Sequence, residues 1–437
     1  MGCNWRSVVL GELVDYCGKG ITPKYTYEIY SESAVPVIGQ KCIRDYVINS
    51  GLVRYHDKEK KSYRAEKLVQ PGDILINSTG VGTAGRVAQV PNSFKEECLT
   101  DSHVLTLRTS KIDPLYLGYV IKSMQSKIEL MAEGSTGQTE LNKSRLLSEI
   151  LVSFPEGPEQ QRKIANFFQI IDEKISINNR INDYLAEIAL TLFNRECPQI
   201  NEPNAMLSDI AQITMGQSPS GSSYNEDGNG EVFYQGRAEF GAFFPRRRLF
   251  TTEPKRMAQE GDTLMSVRAP VGDLNIANEN CCIGRGLAAI HSESNQSFVH
   301  YLVRAQGRQL DTFNGDGTVF GSINGKALKE LPVFLPSNDV IIHLESQLKS
   351  IDALIRRNDD ESQVLEHMRD TLLPRLMSGE IDVSEVEVPT QLNNHFLLQS
   401  SKLEFKCVIQ YPFPKQTLPN RSMLRPCDLG EKKWMKN

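Results

Sequence analysis

Two stretches of this chain carry the spacing of a coiled-coil seam, and the second repeats the first. Ile164, Phe168, Ile171, Ile175, Asn178, Ile181, Leu185, Ile188 and Leu192 follow one another at alternating steps of three and four residues. Leu344, Leu348, Ile351, Ile355, Asn358, Ser362, Leu365, Met368 and Leu372 do the same, and Ile171-Asp172 reappears as Ile351-Asp352. The ends suit helices. Pro158 fits a first helical position and Pro198 follows Asn194, while Ser337 or Asn338 can cap the second helix, Pro374 falls where it would kink its last turn and Gly379 follows it.

Weaker echoes link the segments that precede each helix. Leu10-Gly11-Glu12-Leu13 answers to Leu207-Ser208-Asp209-Ile210, Pro71-Gly72-Asp73-Ile74-Leu75 to Glu260-Gly261-Asp262-Thr263-Leu264, and Leu141-Asn142 to Ile323-Asn324. Kept in one order at an offset drifting over roughly 180 to 197 residues, they describe a tandem repeat with a shared frame and diverged contents. Five regions follow: a globular segment (1–155), a helix (156–197), a second globular segment (198–336), a second helix (337–380) and a tail (381–437). The fold class is α+β. Short alternating strands near Ile74–Asn77, Thr263–Val267 and Gly286–His291 mix with helices near Leu115–Glu133 and Ser297–Thr312. The tail, with Pro412, Pro414, Pro419 and Pro426 and no apolar period, is expected to pack poorly.

The linker decides how the helices lie. A helix of about 36 residues is about 54 Å long, and roughly ten linker residues reach at most about 33 to 36 Å. The second segment therefore stays at the far end of the first helix, and the second helix runs back antiparallel, leaving one globular segment at each end of a rod. Asn178 and Asn358 fall near the middle, where a buried pair would set register at a cost in stability; exposed asparagines on a drifting seam are the alternative.

Bulk properties exclude more than they assign. A chain of 437 residues holds two or three domains with proper cores, without disulfide staples. The nine cysteines include Cys281-Cys282 but no C-x-x-C pair, which fits reduced thiols in a cytosol. No signal peptide or membrane-length apolar run is seen. A net charge of −5 disfavours a general nucleic-acid coat, yet basic runs recur at equivalent places: Lys58, Lys60, Lys61, Arg64 and Lys67 before Gly72-Asp73, and Arg246, Arg247, Arg248, Lys255 and Arg256 before Gly261-Asp262. One such run alone is ordinarily a solvated face. Recurrence weighs against that.

Polar loops point the same way. In the first segment Gln40, Lys41, Asn77, Ser78, Thr79, Arg86, Thr136, Gln138 and Asn142, and in the second Gln235, Arg237, Ser266, Arg268, Arg285, Thr318 and Asn324, bring amide, hydroxyl and guanidinium groups onto turn-rich backbone. Arg pairs with guanine and Asn or Gln with adenine in the major groove, and small hydroxyls hold phosphates. Any one of them read alone is an ordinary loop residue. Catalytic motifs are missing: no G-x-x-x-x-G-K-[ST] loop, no H-E-x-x-H, scattered histidines, and only a faint carboxylate-lysine pattern in Asp57-Lys58-Glu59-Lys60. Gly80-Val81-Gly82-Thr83-Ala84-Gly85, with Asp101 beyond it, has dinucleotide-loop spacing, but Arg86–Pro91 reads as a strand where that motif requires a helix. A Gly-rich hairpin is the better reading. No Asn- or Asp-Pro-Pro-aromatic signature of an amino-methyltransferase occurs.

Over about residues 5 to 385 this plan resembles the specificity subunit of type I DNA restriction-modification enzymes. The resemblance rests on Leu10–Leu13, Pro71–Leu75 leading to Ser78-Thr79-Gly80, Pro155–Ile175 with Glu159-Gln160-Gln161-Arg162-Lys163-Ile164, and Leu372–Ile381. The second helix departs from it, opening Asp339-Val340-Ile341-Ile342-His343, and the tail past Val388 has no counterpart. The resemblance implies two target-recognition domains, each reading one half of a split site on double-stranded DNA. It implies two methyltransferase subunits carrying S-adenosylmethionine along the rod, and motor-nuclease subunits using ATP and Mg. This chain would hold no cofactor or metal and catalyse nothing itself, directing adenine-N6 methylation or cleavage. Two rivals stay open: a stand-alone DNA-binding or adaptor protein self-associating through its rod, and an enzyme holding a cofactor at Gly80–Gly85.

Overall fold

A computed structural model describes residues 4–133, 139–198, 202–315 and 321–381. Its two long helices are Pro158–Glu196 and Asn338–Met377, of 39 and 40 residues, or about 60 Å each. They are antiparallel. Along the first helix Asp172, Asn178 and Asn182 meet Arg369, Ser362 and Asn358 in turn, so one number rises as the other falls. The second helix runs through Pro374 and ends in a Schellman turn: Glu380 N–H donates to Arg375 O at 3.0 Å, and Gly379 takes φ +77. A side chain at Gly379 would strike the Trp5 ring, so the last turn of the second helix closes against the first strand of the chain.

The seam follows the heptad only as far as the middle. Ile164, Phe168, Ile171, Ile175 and Asn178 are buried as the spacing predicts. Beyond them burial passes to Asn182, Ala186, Ala189 and Phe193, leaving Ile181 and Ile188 40% and 51% exposed and Leu185 half-buried. On the second helix Leu344, Leu348, Ile355 and Ser362 are buried and Ile351 and Leu365 partly so; past Ser362 burial moves to Leu373, Leu376 and Met377, with Met368 exposed. A helix of 3.6 residues per turn drifts against a strict seven-residue repeat, and two successive steps of four absorb the drift. The outer half of each helix also faces a globular module rather than the other helix: Phe193 packs on Phe298 with ring centroids 5.4 Å apart.

At the crossing the expected Asn178–Asn358 side-chain pair is replaced by a diagonal lattice. Asn178 Nδ2 donates to Ser362 Oγ and Asn358 O (3.3 Å each) and to Glu361 Oε2 (2.9 Å). Asn358 Nδ2 donates to Asn182 Oδ1 (2.9 Å), and Asn182 Nδ2 to Ile355 O (3.1 Å). Asn178 is buried and Asn358 half-buried, so neither is an exposed asparagine on a drifting seam.

Both modules use one frame. In the first, Trp5–Val9 pairs antiparallel with Leu151–Pro155, and a four-stranded antiparallel sheet runs Tyr16–Lys19, Val104–Arg108, Ile74–Asn77, Val87–Gln89. In the second, Ala205–Met206 pairs with Pro332–Val333, and the sheet runs Gln212–Met215, Leu287–His291, Thr263–Ser266, Leu274–Ile276. A second sheet in each contains one parallel pair, Leu99–Thr100 with Ala34–Ile38 and Cys281–Ile283 with Glu231–Tyr234. The repeated Gly-Asp turns are scaffold. Gly72 and Gly261 take φ +82 and +90, Asp73 and Asp262 accept the N–H three residues earlier at 2.8 Å, and each aspartate also holds the neighbouring strand through Arg108 or His291. The helices expected at Leu115–Glu133 and Ser297–Thr312 each divide, into Pro114–Ser123 and Gln125–Leu130 and into Gln296–Ala305 and Gly307–Asp311. After Gly80–Gly85 comes the strand Val87–Gln89, not a helix. Positions 382–437 of the expected tail lie outside the described residues.

The repeated Ile-Asp dipeptide docks module onto rod. Tyr119 and Tyr301 donate to Asp172 and Asp352 at 2.9 and 2.8 Å. Asp172 also meets Lys122 and Arg369, each at 2.9 Å. Burial by itself lifts the Asp172 carboxyl, but these two cations over-compensate and hold it below the usual carboxylate range. Asp352 has no such pair, and burial raises it above that range.

Two predictions follow from this packing. Asn182→Ala, which strands the Asn358 amide, lowers stability in urea unfolding by about 1–3 kcal/mol, whereas Ile181→Ala costs less; equal losses would put the seam back on Ile181. Asp172→Asn removes the carboxylate paired with buried Lys122 and leaves Arg369 only Asp370, and destabilises by about 3 kcal/mol at pH 7. Because the Asp172 carboxyl is depressed, its contribution is present above about pH 4 and lost as pH falls further. Asp352 is raised, so its favourable form is the protonated one, lost as pH rises. Asp352→Asn is therefore neutral or stabilising at pH 7, which thermal melts of the two variants check.

Candidate DNA-recognition surface

In the first module several loops meet at one end of the sheets, because the strands Ala34–Ile38 and Ile74–Asn77 stop there and Val104–Arg108 starts there. Backbone and side-chain bonds lace the loops together. Asn77 Nδ2 donates to Gln40 O (3.0 Å), Ser78 N–H to His103 O (2.8 Å) and Leu141 N–H to Ser78 O (2.8 Å), and Thr79 Oγ1 shares a 2.7 Å hydrogen bond with His103 Nδ1. Between them opens a cleft of roughly 290 Å³, lined among others by Gln40, Lys41, Arg54, Asp101 and His103. Gln40 Oε1, Asn77 Oδ1 and Ser78 Oγ are buried there or beside it without a partner among the described residues. Such groups cost about 1–3 kcal/mol each unless a water or ligand meets them.

The expected residues of this module separate into groups. Gln40, Asn77, Ser78 and Thr79 come together, with exposed Lys41 beside them. Asn77 and Ser78 are fully buried and brace the loops. Lys58, Lys60 and Lys61 follow the strand Arg54–Asp57, which carries them about 13 Å from the cleft end at 3.3 Å per residue. There Lys60 pairs with Asp57 (3.1 Å) and Lys61 donates to Thr22 O (2.8 Å). Arg86 bridges the Gly-rich turn to Gly82 O. Asn142 is the N-cap of Lys143–Glu149, accepting from Ser144 and Arg145 N–H. Thr136 and Gln138 lie outside the described residues.

The second module presents the same end with different chemistry. Gln235 follows the strand Glu231–Tyr234, Arg268 follows Thr263–Ser266, and Arg285 precedes Leu287–His291. Side chains at Gly284 or Gly286 would lie within 2.9 Å of Gln235 O, so glycine on either side lets the loops close while Arg285 points out. Gln235, Arg268 and Arg285 are exposed. Other expected cations are engaged: Arg237 with Asp273, Arg247 with Glu279 and Arg248 with buried Glu239. Arg246 is exposed and close enough to Asp359 of the rod to act on its charge. Ser266 donates to Pro270 O, and Asn324 caps Gly325–Lys329. Thr318 lies outside the described residues. Sequence reasoning missed Arg54, Asp101 and His103 as cleft residues and Gln161 as a clamp. Gln161 donates to Pro155 O (2.8 Å) and accepts from Asp113 N–H (3.0 Å), fixing the first helix to its module; the second helix makes its tie by accepting Phe298 N–H on Glu345.

No cluster of His, Cys, Asp or Glu able to hold a metal occurs among the described residues, and no helix there is long and apolar enough to cross a membrane. What the two ends offer is amide, hydroxyl and guanidinium groups on braced loops, once at each end of the rod.

A family model, the type I restriction modification DNA specificity domain, matches residues 3–187. A putative type I restriction enzyme MjaX specificity subunit from Methanocaldococcus jannaschii is 29% identical over 408 residues, covering 87% of this chain and 94% of that protein. The chain is similar to type I specificity subunits over most of its length. The HindI specificity subunit of Haemophilus influenzae is 20% identical over 475 residues, covering 86% of this chain and 100% of the relative. The crystal structure of a type I restriction-modification S subunit from M. genitalium shares the fold, with a TM-score of 0.52 and 19% identity over 86% of this chain and 96% of that one.

The free and the engaged arginines of the second module are expected to respond differently to replacement. Arg248→Ala leaves the buried Glu239 carboxylate unpaired and lowers the melting temperature, whereas Arg268→Ala leaves melting unchanged and weakens DNA binding. Melting curves and DNA titrations on the assembled complex separate the two.

Proposed function

We propose that this chain is the sequence-reading, non-catalytic subunit of a DNA modification and restriction complex. Each module reads one half of a split site, and the rod sets the distance between the halves. The observation that carries this reading is the doubled frame: the same sheet end, with its loop cluster, recurs in two modules whose cores take in opposite ends of the antiparallel helix pair. The loops differ in chemistry, so the two halves are expected to differ in sequence. Module centres about 50 Å apart correspond to about 15 base pairs, more than one helical turn, so unread bases separate the half-sites.

The rod also offers a surface for two copies of one partner. Tyr184 and Ile188 are exposed on the first helix, and the positions that follow the repeat on the second, Val364 and Met368, are exposed too. An isologous pair of apolar patches suits two methyltransferase subunits, which would bring S-adenosylmethionine; ATP and Mg would arrive with motor-nuclease subunits. This chain then supplies position alone, delivering an adenine of each half-site to its neighbouring methyltransferase for N6 methylation, or leaving unmodified sites to cleavage.

Sequencing genomic methyladenine with and without this chain tests the whole reading: a bipartite motif that depends on the chain is expected. A clean homodimer that co-purifies with no methyltransferase would favour the self-associating adaptor. Adding one heptad to both helices lengthens the rod by about 10.5 Å and should lengthen the unread spacer by about three base pairs. An unchanged spacer would mean that the helices do not measure the site.

A further inference from the structure

Arg54 opens the strand Arg54–Asp57 at the cleft end of the first module, in register with Val37. Its guanidinium carbon lies 3.8 Å from the centroid of the Tyr25 ring, which the neighbouring edge strand Tyr25–Thr26 delivers. On the other side Nη2 stands 3.9 Å from Asp101 Oδ2. Asp101 is only 3% exposed, and its other oxygen accepts His103 N–H at 2.9 Å. Any side chain at Gly39 would come within 2.8 Å of Asp101 Oδ2, so the glycine leaves room for the carboxylate there.

The Arg54 side chain is nevertheless 61% exposed and lines the cleft. This is not an ordinary surface ion pair, in which both partners are solvated. One partner is buried and fixed. The guanidinium is stacked and charge-anchored at 3.9 Å, beyond hydrogen-bonding distance, so its fork of donors stays unused. A flexible arginine loses rotamer freedom when it binds; here much of that ordering is already done.

We propose that Arg54 is a specificity-determining residue that reads a guanine of the first half-site, its fork donating to O6 and N7 in the major groove, with Tyr25 and Asp101 as positioning residues. The inference rests on the recognition role proposed above. Guanine is the base whose two adjacent acceptors match this fork. Nearby Lys41, a point charge without fork geometry, suits a phosphate.

The test uses the full chain assembled with its methyltransferase, read by methyladenine sequencing and by DNA titration at several salt concentrations. Arg54→Lys keeps the charge and loses the fork, so guanine preference should fall about tenfold to a hundredfold at one position of the first half-site, with the second half-site and the spacer unchanged. Arg54→Gln should move preference at that position from guanine to adenine. Tyr25→Leu and Asp101→Asn should relax the same position, severalfold. The proposal is overturned if Arg54→Lys leaves the motif intact, or if Arg54→Ala weakens all sequences equally and lowers the salt slope by about one, the signature of a phosphate contact. An intact motif in Arg54→Lys leaves the specificity role standing and removes only this residue's part in it. A wild-type chain that directs no motif removes both.

Discussion

The structure depends on one hydrogen-bonded layer where two helices cross. Asn178, Asn182, Asn358 and Ser362 bury polar groups in a seam that could have been filled with leucine. An all-apolar seam of this length would tolerate sliding by a turn, since one leucine layer packs much like the next. An amide layer does not, because a slipped register leaves donors unmet in a low-dielectric interior. Stability is exchanged for a single register. In a molecule whose modules sit at opposite ends of the helices, register is distance.

Each module is held by the start of one helix and the end of the other. The first core takes in Ile164 to Ile175 from the first helix and Leu373, Leu376 and Met377 from the second; the second core takes in Ala189 and Phe193 together with Ile341, Leu344 and Leu348. Neither module can shift along the rod unless both helices change together. The chain thereby closes on itself, with Gly379 against Trp5, and the doubled sequence becomes a pseudo-twofold object. The two junctions are not equal, however. Asp172 is clamped between two cations, whereas Asp352 accepts from hydroxyls and has no ion pair among the described residues, so the first module carries the stronger electrostatic attachment at neutral pH.

The frame was legible in the sequence and the candidate surface only in part. Helix pairing, direction and the Gly-Asp turns follow from local periodicity and linker length, which short-range patterns encode. The seam beyond Asn178 did not, because whether Ile181 or Asn182 turns inward depends on what the outer half of the helix packs against. Basic runs misled for a related reason. Charge along the chain does not tell which cations neutralise a neighbour, and Arg247 and Arg248 are taken up by Glu279 and Glu239. Asn142 and Asn324 fell at repeated positions because helix caps recur with the scaffold. Arg54 was invisible because what singles it out, an aromatic ring 29 residues before it and a buried carboxylate 47 residues after it, exists only once the sheets have formed.

Under the proposed recognition role, this division between frame and contents lets such a chain change what it reads without ceasing to fold. The residues that recur between the modules serve the scaffold: the turn aspartates hold backbone N–H groups and Arg108 or His291, the asparagines cap helices, and the Ile-Asp pair docks module to rod. The residues that line the sheet ends do not recur: Gln40, Thr79 and His103 on one side, Gln235, Arg268 and Arg285 on the other. Substitution of Gln235, Arg268 or Arg285 costs little stability, since those side chains are exposed. Loops can then diverge while the amide layer keeps the two sheet ends at one separation, so under the proposed role base choice and spacing vary independently.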